Sequence, residues 1–156
     1  MKKTLVILSL IAIFISIFNS ITIADNLKGR FGIGLGYPYL SLKYGVSSKF
    51  TLEARGASGD GIQVLGGRLL FNFNPRNTVV LYLGIERDNI TFDTEGISGK
   101  GQLMLLFLGG EYFIKKDLTV SMDMGPGVIG LTDSKYSDVN VNGTEWILNI
   151  GVNFYF

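Results

Sequence analysis

The chain has 156 residues, 47% hydrophobic and 17% charged, with 14 basic against 13 acidic side chains, 21 Gly, no Cys and no His. That length bounds it to one domain, and the absence of Cys and His excludes a disulfide framework, a thiolate nucleophile, a haem-attachment motif or a zinc ribbon. It also removes the commonest metal ligand and general base, while the balanced charge leaves no electrostatic footprint for nucleic acid.

The first element is a leader. Met1-Lys2-Lys3 is basic, residues 5–18 are apolar, and a polar stretch runs to the small residue Ala24. This reads as a secretory signal peptide over residues 1–24, cleaved before Asp25, with residues 25–156 as the exported domain. A retained membrane anchor is the alternative, because residues 4–24 carry no charge. The leader supplies much of the positive mean hydropathy of +0.33, and all 21 glycines follow it.

From Lys28 onward the apolar period is two, which marks strands. Phe31, Ile33, Leu35 and Tyr37 alternate with Arg30, Gly32, Gly34 and Gly36; after Pro38, Leu40, Leu42, Tyr44 and Val46 alternate with Ser41, Lys43 and Gly45. The third segment sets Phe50, Leu52 and Ala54 against Thr51, Glu53 and Arg55, and the fourth sets Leu65, Leu69, Phe71 and Phe73 against Gly66, Arg68 and Asn72. In the fifth, Val79, Leu81, Leu83 and Ile85 oppose Val80, Tyr82, Gly84 and Glu86. The sixth, residues 102–114, is apolar on both parities through 103–108. The seventh sets Leu118, Val120, Met122 and Met124 against Thr119, Ser121, Asp123 and Gly125, and Pro126 then predicts a bulge or strand end. The eighth sets Trp146, Leu148, Ile150, Val152, Phe154 and Phe156 against Glu145, Ile147, Asn149, Gly151, Asn153 and Tyr155.

Residues 47–49, 74–77 and 115–117 read as tight turns, and residues 57–61, 87–101 and 131–143 as longer polar loops; residues 37–39 form an unexpectedly short connection at the long-loop end. No helical period follows the leader, so doubly wound folds are excluded. Eight antiparallel strands of about ten residues are most economically closed into a barrel, which removes the sheet edges.

Alternation alone leaves two readings. A periplasmic lipocalin-like barrel points its apolar face inward and holds a small hydrophobic ligand; an outer-membrane barrel points it into lipid. Nine strand glycines (32, 34, 36, 45, 66, 84, 109, 125, 151) fall on the polar parity against three (56, 67, 110) on the apolar one, as a crowded lumen requires. The aromatics Tyr44, Phe50, Phe71, Phe73, Tyr112, Phe154 and Phe156 collect at the short-turn end, as an interfacial girdle does. The strand charges Arg30, Lys43, Glu53, Arg55, Arg68, Glu86, Glu111, Asp123 and Glu145 all lie on the polar parity. The lipid-facing reading is therefore preferred: an all-β, eight-stranded antiparallel up-and-down transmembrane β-barrel.

The alternating Trp146, Leu148, Ile150, Val152, Phe154 and Phe156 resembles the C-terminal assembly signal of bacterial outer-membrane barrels, and Phe31-Gly-Ile-Gly-Leu-Gly-Tyr37 resembles the glycine-alternating first strand of the small barrels of OmpX and OmpA type. The likeness is one of class and spans the whole exported part. It implies a Gram-negative cell outer membrane, short turns toward the periplasm, longer loops outside, and outer-membrane lipid and the assembly machinery as partners. A monomer is expected. Hydrolases and acyltransferases of this architecture use a His base, which this sequence lacks, so a non-enzymatic role without metal or cofactor is expected.

Sorted by strand, the inward charges segregate. The first four strands supply Arg30, Lys43, Arg55 and Arg68 with one acid, Glu53, and the last four supply Glu86, Glu111, Asp123 and Glu145. Opposed walls of opposite charge predict a plug across the lumen, with a narrow, porin-like solute channel as the alternative. Leu70, Val80, Tyr82, Leu103, Leu105 and Phe107 are inward apolar residues that could line a pocket, although interior packing explains them as well. The outer loops, with Asp60, Asp88, Asp93, Glu95, Asp133 and Asp138 against Arg87, Lys100 and Lys135, are acidic and could hold divalent cations, but solvation accounts for them. The role expected is structural or surface-interacting.

Overall fold

The structure, a computed structural model, describes residues 27–94, 97–133 and 140–156; the leader, Glu95, Lys135 and Asp138 lie outside them. Eight strands follow one another: β1 (Phe31–Gly36), β2 (Leu40–Gly45), β3 (Phe50–Gly59), β4 (Ile62–Asn72), β5 (Val79–Thr94), β6 (Ile97–Phe113), β7 (Leu118–Asp133) and β8 (Asn140–Tyr155). Each pairs antiparallel with its sequence neighbours, and β8 pairs back onto β1 to close the barrel.

The wall is uneven. β1 and β2 have 6 residues each, whereas β5 to β8 have 16 or 17. Most of the residues expected in long loops are strand: Arg87, Asp88 and Asp93 lie on β5, Lys100 on β6 and Asp133 on β7. The β3–β4 connection is a two-residue turn with both residues at positive φ, Asp60 at 47° and Gly61 at 77°. Asp-Gly suits this geometry because Gly has no Cβ to clash and Asp tolerates the left-handed region. Pro126 neither bulges nor ends β7. Leu105 pairs with Gly127 and Leu108 with Met124 in one unbroken register, so only the ladder beside the proline opens.

Through the lower part of the barrel the apolar parity points outward and the polar parity inward, which corrects the lipocalin-like alternative. The outward apolar band covers residues 79–85 on β5, 104–112 on β6, 118–128 on β7 and 146–154 on β8; on β6 to β8 that is the 9–11 residues a tilted strand needs to cross a bilayer, and on β5 it is two short of it. Above it the polarity inverts. Gln63, Arg87, Asn89, Thr91, Lys100 and Gln102 face outward, while Val64, Ile90, Phe92, Leu103 and Ile129 take the inward parity. The upper wall is therefore built like a water-soluble sheet, and the lower wall is built inside out.

Residues 27–30 close the short-turn end from within. Leu27 is buried against Val80, Phe113 and Tyr155. Gly29 N donates to Gly45 O at 2.7 Å, and Arg30 Nη1 donates to Lys116 O at 2.8 Å. Gly45 has to be glycine, since an added Cβ would lie 1.8 Å from the Leu27 carbonyl oxygen. The β4–β5 turn is clamped by Asn74, which donates to Val79 O at 2.8 Å and accepts from Leu81 N at 2.6 Å.

Candidate functional site

The concentration of chemistry is the lumen. Inward positions of β2 to β7 bring eight charged side chains into burial: the bases Lys43, Arg55 and Arg68, and the acids Glu53, Glu86, Asp88, Glu111 and Asp123. Arg68 on β4 is the hub. Its Nη1 lies 3.2 Å from Glu53 Oε2, its Nη2 2.7 Å from Asp123 Oδ1, and its Nε 3.0 Å from Glu86 Oε2. The guanidinium carbon sits 3.7 Å from the centre of the Phe107 ring, which stacks on its face while the edge serves the acids. Arg55 on β3 reaches across to Glu86 Oε1 at 2.8 Å and donates to Asn149 Oδ1 at 3.3 Å. The Tyr39 ring, on the β1–β2 connection, covers its other side at 3.7 Å.

A second group lies around Glu111 on β6. Lys43 Nζ stands 3.5 Å from Oε2, and Oε1 accepts from Asn153 Nδ2 at 2.8 Å, Tyr155 Oη at 2.9 Å and the Thr119 hydroxyl. Asp123 is held further within the first group, accepting from Asn149 Nδ2 at 2.9 Å and Tyr82 Oη at 3.2 Å. Between these side chains and the β1–β2–β8 wall remains a void of about 20 Å³, the space of about one water. The arrangement is a cross-braced network of buried charges.

Glycines make it possible. A Cβ at Gly84 would meet Phe107 at 2.1 Å, and one at Gly66 would meet Asp88 Oδ1 at 1.6 Å. Outward-facing Gly67 is different, since its added Cβ would meet nothing nearer than the Glu53 carbonyl oxygen at 3.9 Å.

Of the nine charges expected in the lumen, seven are enclosed and two are not. Arg30 is half-buried at the short-turn mouth, 5.6 Å from the Tyr155 ring centre, and Glu145 is exposed high on β8. Both have the inward parity, but each lies beyond the stretch where the opposing wall is close. The six residues considered as pocket lining are packed rather than hollow. Leu70, Tyr82, Leu105 and Phe107 form one cluster with Ile147 against it, and Val80 belongs to the lower cluster with Leu27; Leu103 is buried above. The seven girdle residues face outward at the short-turn end, where Phe50 and Phe71 ring centres are 5.4 Å apart and Phe71 and Phe73 meet edge to face at 5.3 Å. Trp146, Leu148, Ile150, Val152, Phe154 and Phe156 are all exposed on the outer face of the final segment.

Asp88 is the member that sequence reasoning misplaced. It was expected in a solvated loop, yet it is fully enclosed above the outward apolar band, two residues beyond Glu86 on the same face of β5. Burial first, and Glu86 beside it second, push its carboxyl up to about 7. Its parity with Tyr82, Gly84 and Glu86 was the available signal. Asn149, Asn153, Thr119 and Ser121, the neutral members of the network, carry no charge to single them out.

No known protein family matches the chain, and no curated protein does. Four solved chains match. One is the N-terminal β-barrel domain of Pseudomonas aeruginosa OprF, at 14% identity and a TM-score of 0.48, with 81% of this chain and 94% of that chain covered.

Proposed function

We propose that this protein is a non-enzymatic barrel of the bacterial outer membrane, with a structural or surface-interaction role and a lumen closed by its own charges. The observation that carries the reading is the polarity inversion. An inside-out lower wall bounded by an upper wall of ordinary polarity is what a barrel half in hydrocarbon and half in water requires, because a lumen-facing charge placed on the lipid side would cost about 2–4 kcal/mol at mid-depth. Arg87, at the inversion on β5 and bonded to Gln102 Oε1 at 3.2 Å, sits where a long cationic side chain can reach headgroups. The aromatic girdle supports the opposite boundary. The charged plug supports closure over conduction, since the Lys43–Glu111, Arg55–Glu86 and Arg68–Asp123 pairs link non-adjacent strands across the lumen.

Insertion is tested with Trp146, the single tryptophan, which is 72% exposed on the outer face. Folded into vesicles containing brominated lipids, the protein is expected to show quenched Trp146 emission and heat-modifiable gel migration. Recovery in the periplasmic fraction without detergent, with unquenched emission, refutes the membrane reading. A steady open channel in planar bilayers refutes the plug.

A further inference from the structure

Five buried acids face three buried bases among the described residues, and the surplus is most acute at Asp88. Neither of its carboxylate oxygens has a hydrogen-bond partner, and it takes part in none of the five lumen ion pairs. Next to it, Glu86 gives Oε1 to Arg55, while its Oε2, though close to Arg68 Nε, has no aligned donor. The seat is built for this side chain, because the Asp88 carboxylate occupies the space that any side chain at Gly66 would fill. The groups facing Asp88 are Glu86 on its own strand, Arg55 on β3, Arg68 on β4 and Tyr39 on the β1–β2 connection; β4 and β6 place Gly66 and Leu103 beside it in register.

Two neighbouring carboxylates sealed from water cannot both stay ionised without a further positive charge or a shared proton. One proton joins two of the pair's three orphan oxygens. It offsets part of the surplus charge, turns Asp88 into a donor and supplies Glu86 Oε2 with the hydrogen bond it lacks. We infer that Asp88 and Glu86 form a proton-binding site in the lumen, with Asp88 held as the carboxylic acid and its O–H donated to Glu86.

The protonated pair leaves Glu86 as the one anion of the two, shared between Arg55 and Arg68. When Asp88 loses its proton to water, two adjacent anions compete for the same guanidinium groups, and the Arg55–Glu86 brace under Tyr39 loosens. The site is thus a titratable latch on the plug, and this second step rests on the closed-lumen reading above.

Infrared difference spectra of the protein in lipid vesicles, taken between mildly acidic and alkaline pH, test the proton directly. A protonated carboxylic C=O band is expected at neutral pH in the wild type, lost on titration to alkaline pH and absent in Asp88→Asn. An absent band in the folded wild type, or a band that survives Asp88→Asn, overturns the site. Single-channel recording tests the latch separately. Asp88→Asn retains a donor toward Glu86, so it is expected to stay closed at every pH while the wild type gains conductance as pH rises. A pH response equal in the two overturns the latch, whereas a wild type already open at neutral pH overturns the plug and leaves the infrared result standing.

Discussion

Replacing Arg68 with Ala removes the one side chain that touches three buried acids. Glu53 loses its 3.2 Å partner, Asp123 its 2.7 Å partner and Glu86 its 3.0 Å contact. Glu86 keeps Arg55, Asp123 keeps Asn149 and Tyr82, and Glu53 keeps only Lys43, opposite it in the β2–β3 register, as a facing base. Breaking a buried pair from one side costs about 3–5 kcal/mol, because the abandoned charge stays desolvated. Water entering the space left by the guanidinium returns part of this, so about 3 kcal/mol is the expected loss. Arg55→Ala combined with Arg68→Ala should cost less than the sum of the single changes, since the two arginines meet at Glu86. The same double variant opens the cross-braces and is expected to conduct where the wild type shows little or no current. Urea unfolding in lipid vesicles, followed by gel migration and Trp146 emission, gives the first number; planar-bilayer recording gives the second. A loss under about 1 kcal/mol, the range of exposed pairs, together with a silent double variant, would refute the braced plug.

Three further outcomes follow from the same geometry. Gly66→Ala and Gly84→Ala each force a Cβ into an occupied lumen and should destabilise by about 1–3 kcal/mol, whereas Gly67→Ala, facing outward into open space, should leave the unfolding midpoint unchanged within about 0.5 kcal/mol. Glu145→Gln and Arg30→Ala, outside the enclosed network, should each shift stability by no more than about 1 kcal/mol, and neither should raise conductance. The raised Asp88 carboxyl holds its proton more tightly in the folded state. Stability from this group is therefore greatest below the ordinary carboxylate range of about 4 and falls as pH rises toward about 7. Unfolding midpoints across that window should decline in the wild type and flatten in Asp88→Asn.

The lower barrel was legible because one rule governs its outer face, apolar residues at every second position, while every charged strand residue there keeps to the other parity. Leu118, Val120, Met122 and Met124 against Thr119, Ser121, Asp123 and Gly125 carry it without exception. The upper wall was not, and the reason is physical. Beyond Ile85 the strand continues, but the outside turns from hydrocarbon to water, so Arg87, Asn89 and Thr91 replace apolar residues on the outer parity while Ile90 and Phe92 take the inner one. A reading that follows apolar parity meets a phase reversal there and mistakes it for a loop. Asp88 stands just past the reversal, which is why the most confined acid was expected in solvent. Arg30 and Glu145 fail for the complementary reason: parity gives the side of the wall but not the height along it.

Leu27 rests on residues of β5, β6 and β8, and its neighbours Gly29 and Arg30 bond to Gly45 at the end of β2 and to Lys116 in the β6–β7 turn. Its seat therefore does not exist until the last strand has met the first. The β1–β8 seam itself has five paired positions, few beside the long ladders of β5 to β8. Burying one leucine contributes about 1.5–3 kcal/mol, applied at a join whose five rungs only the β1–β2 ladder matches for shortness. The segment ahead of β1 thus acts as a keystone, set last and under the arch, and a barrel halted before closure would hold Leu27 in water.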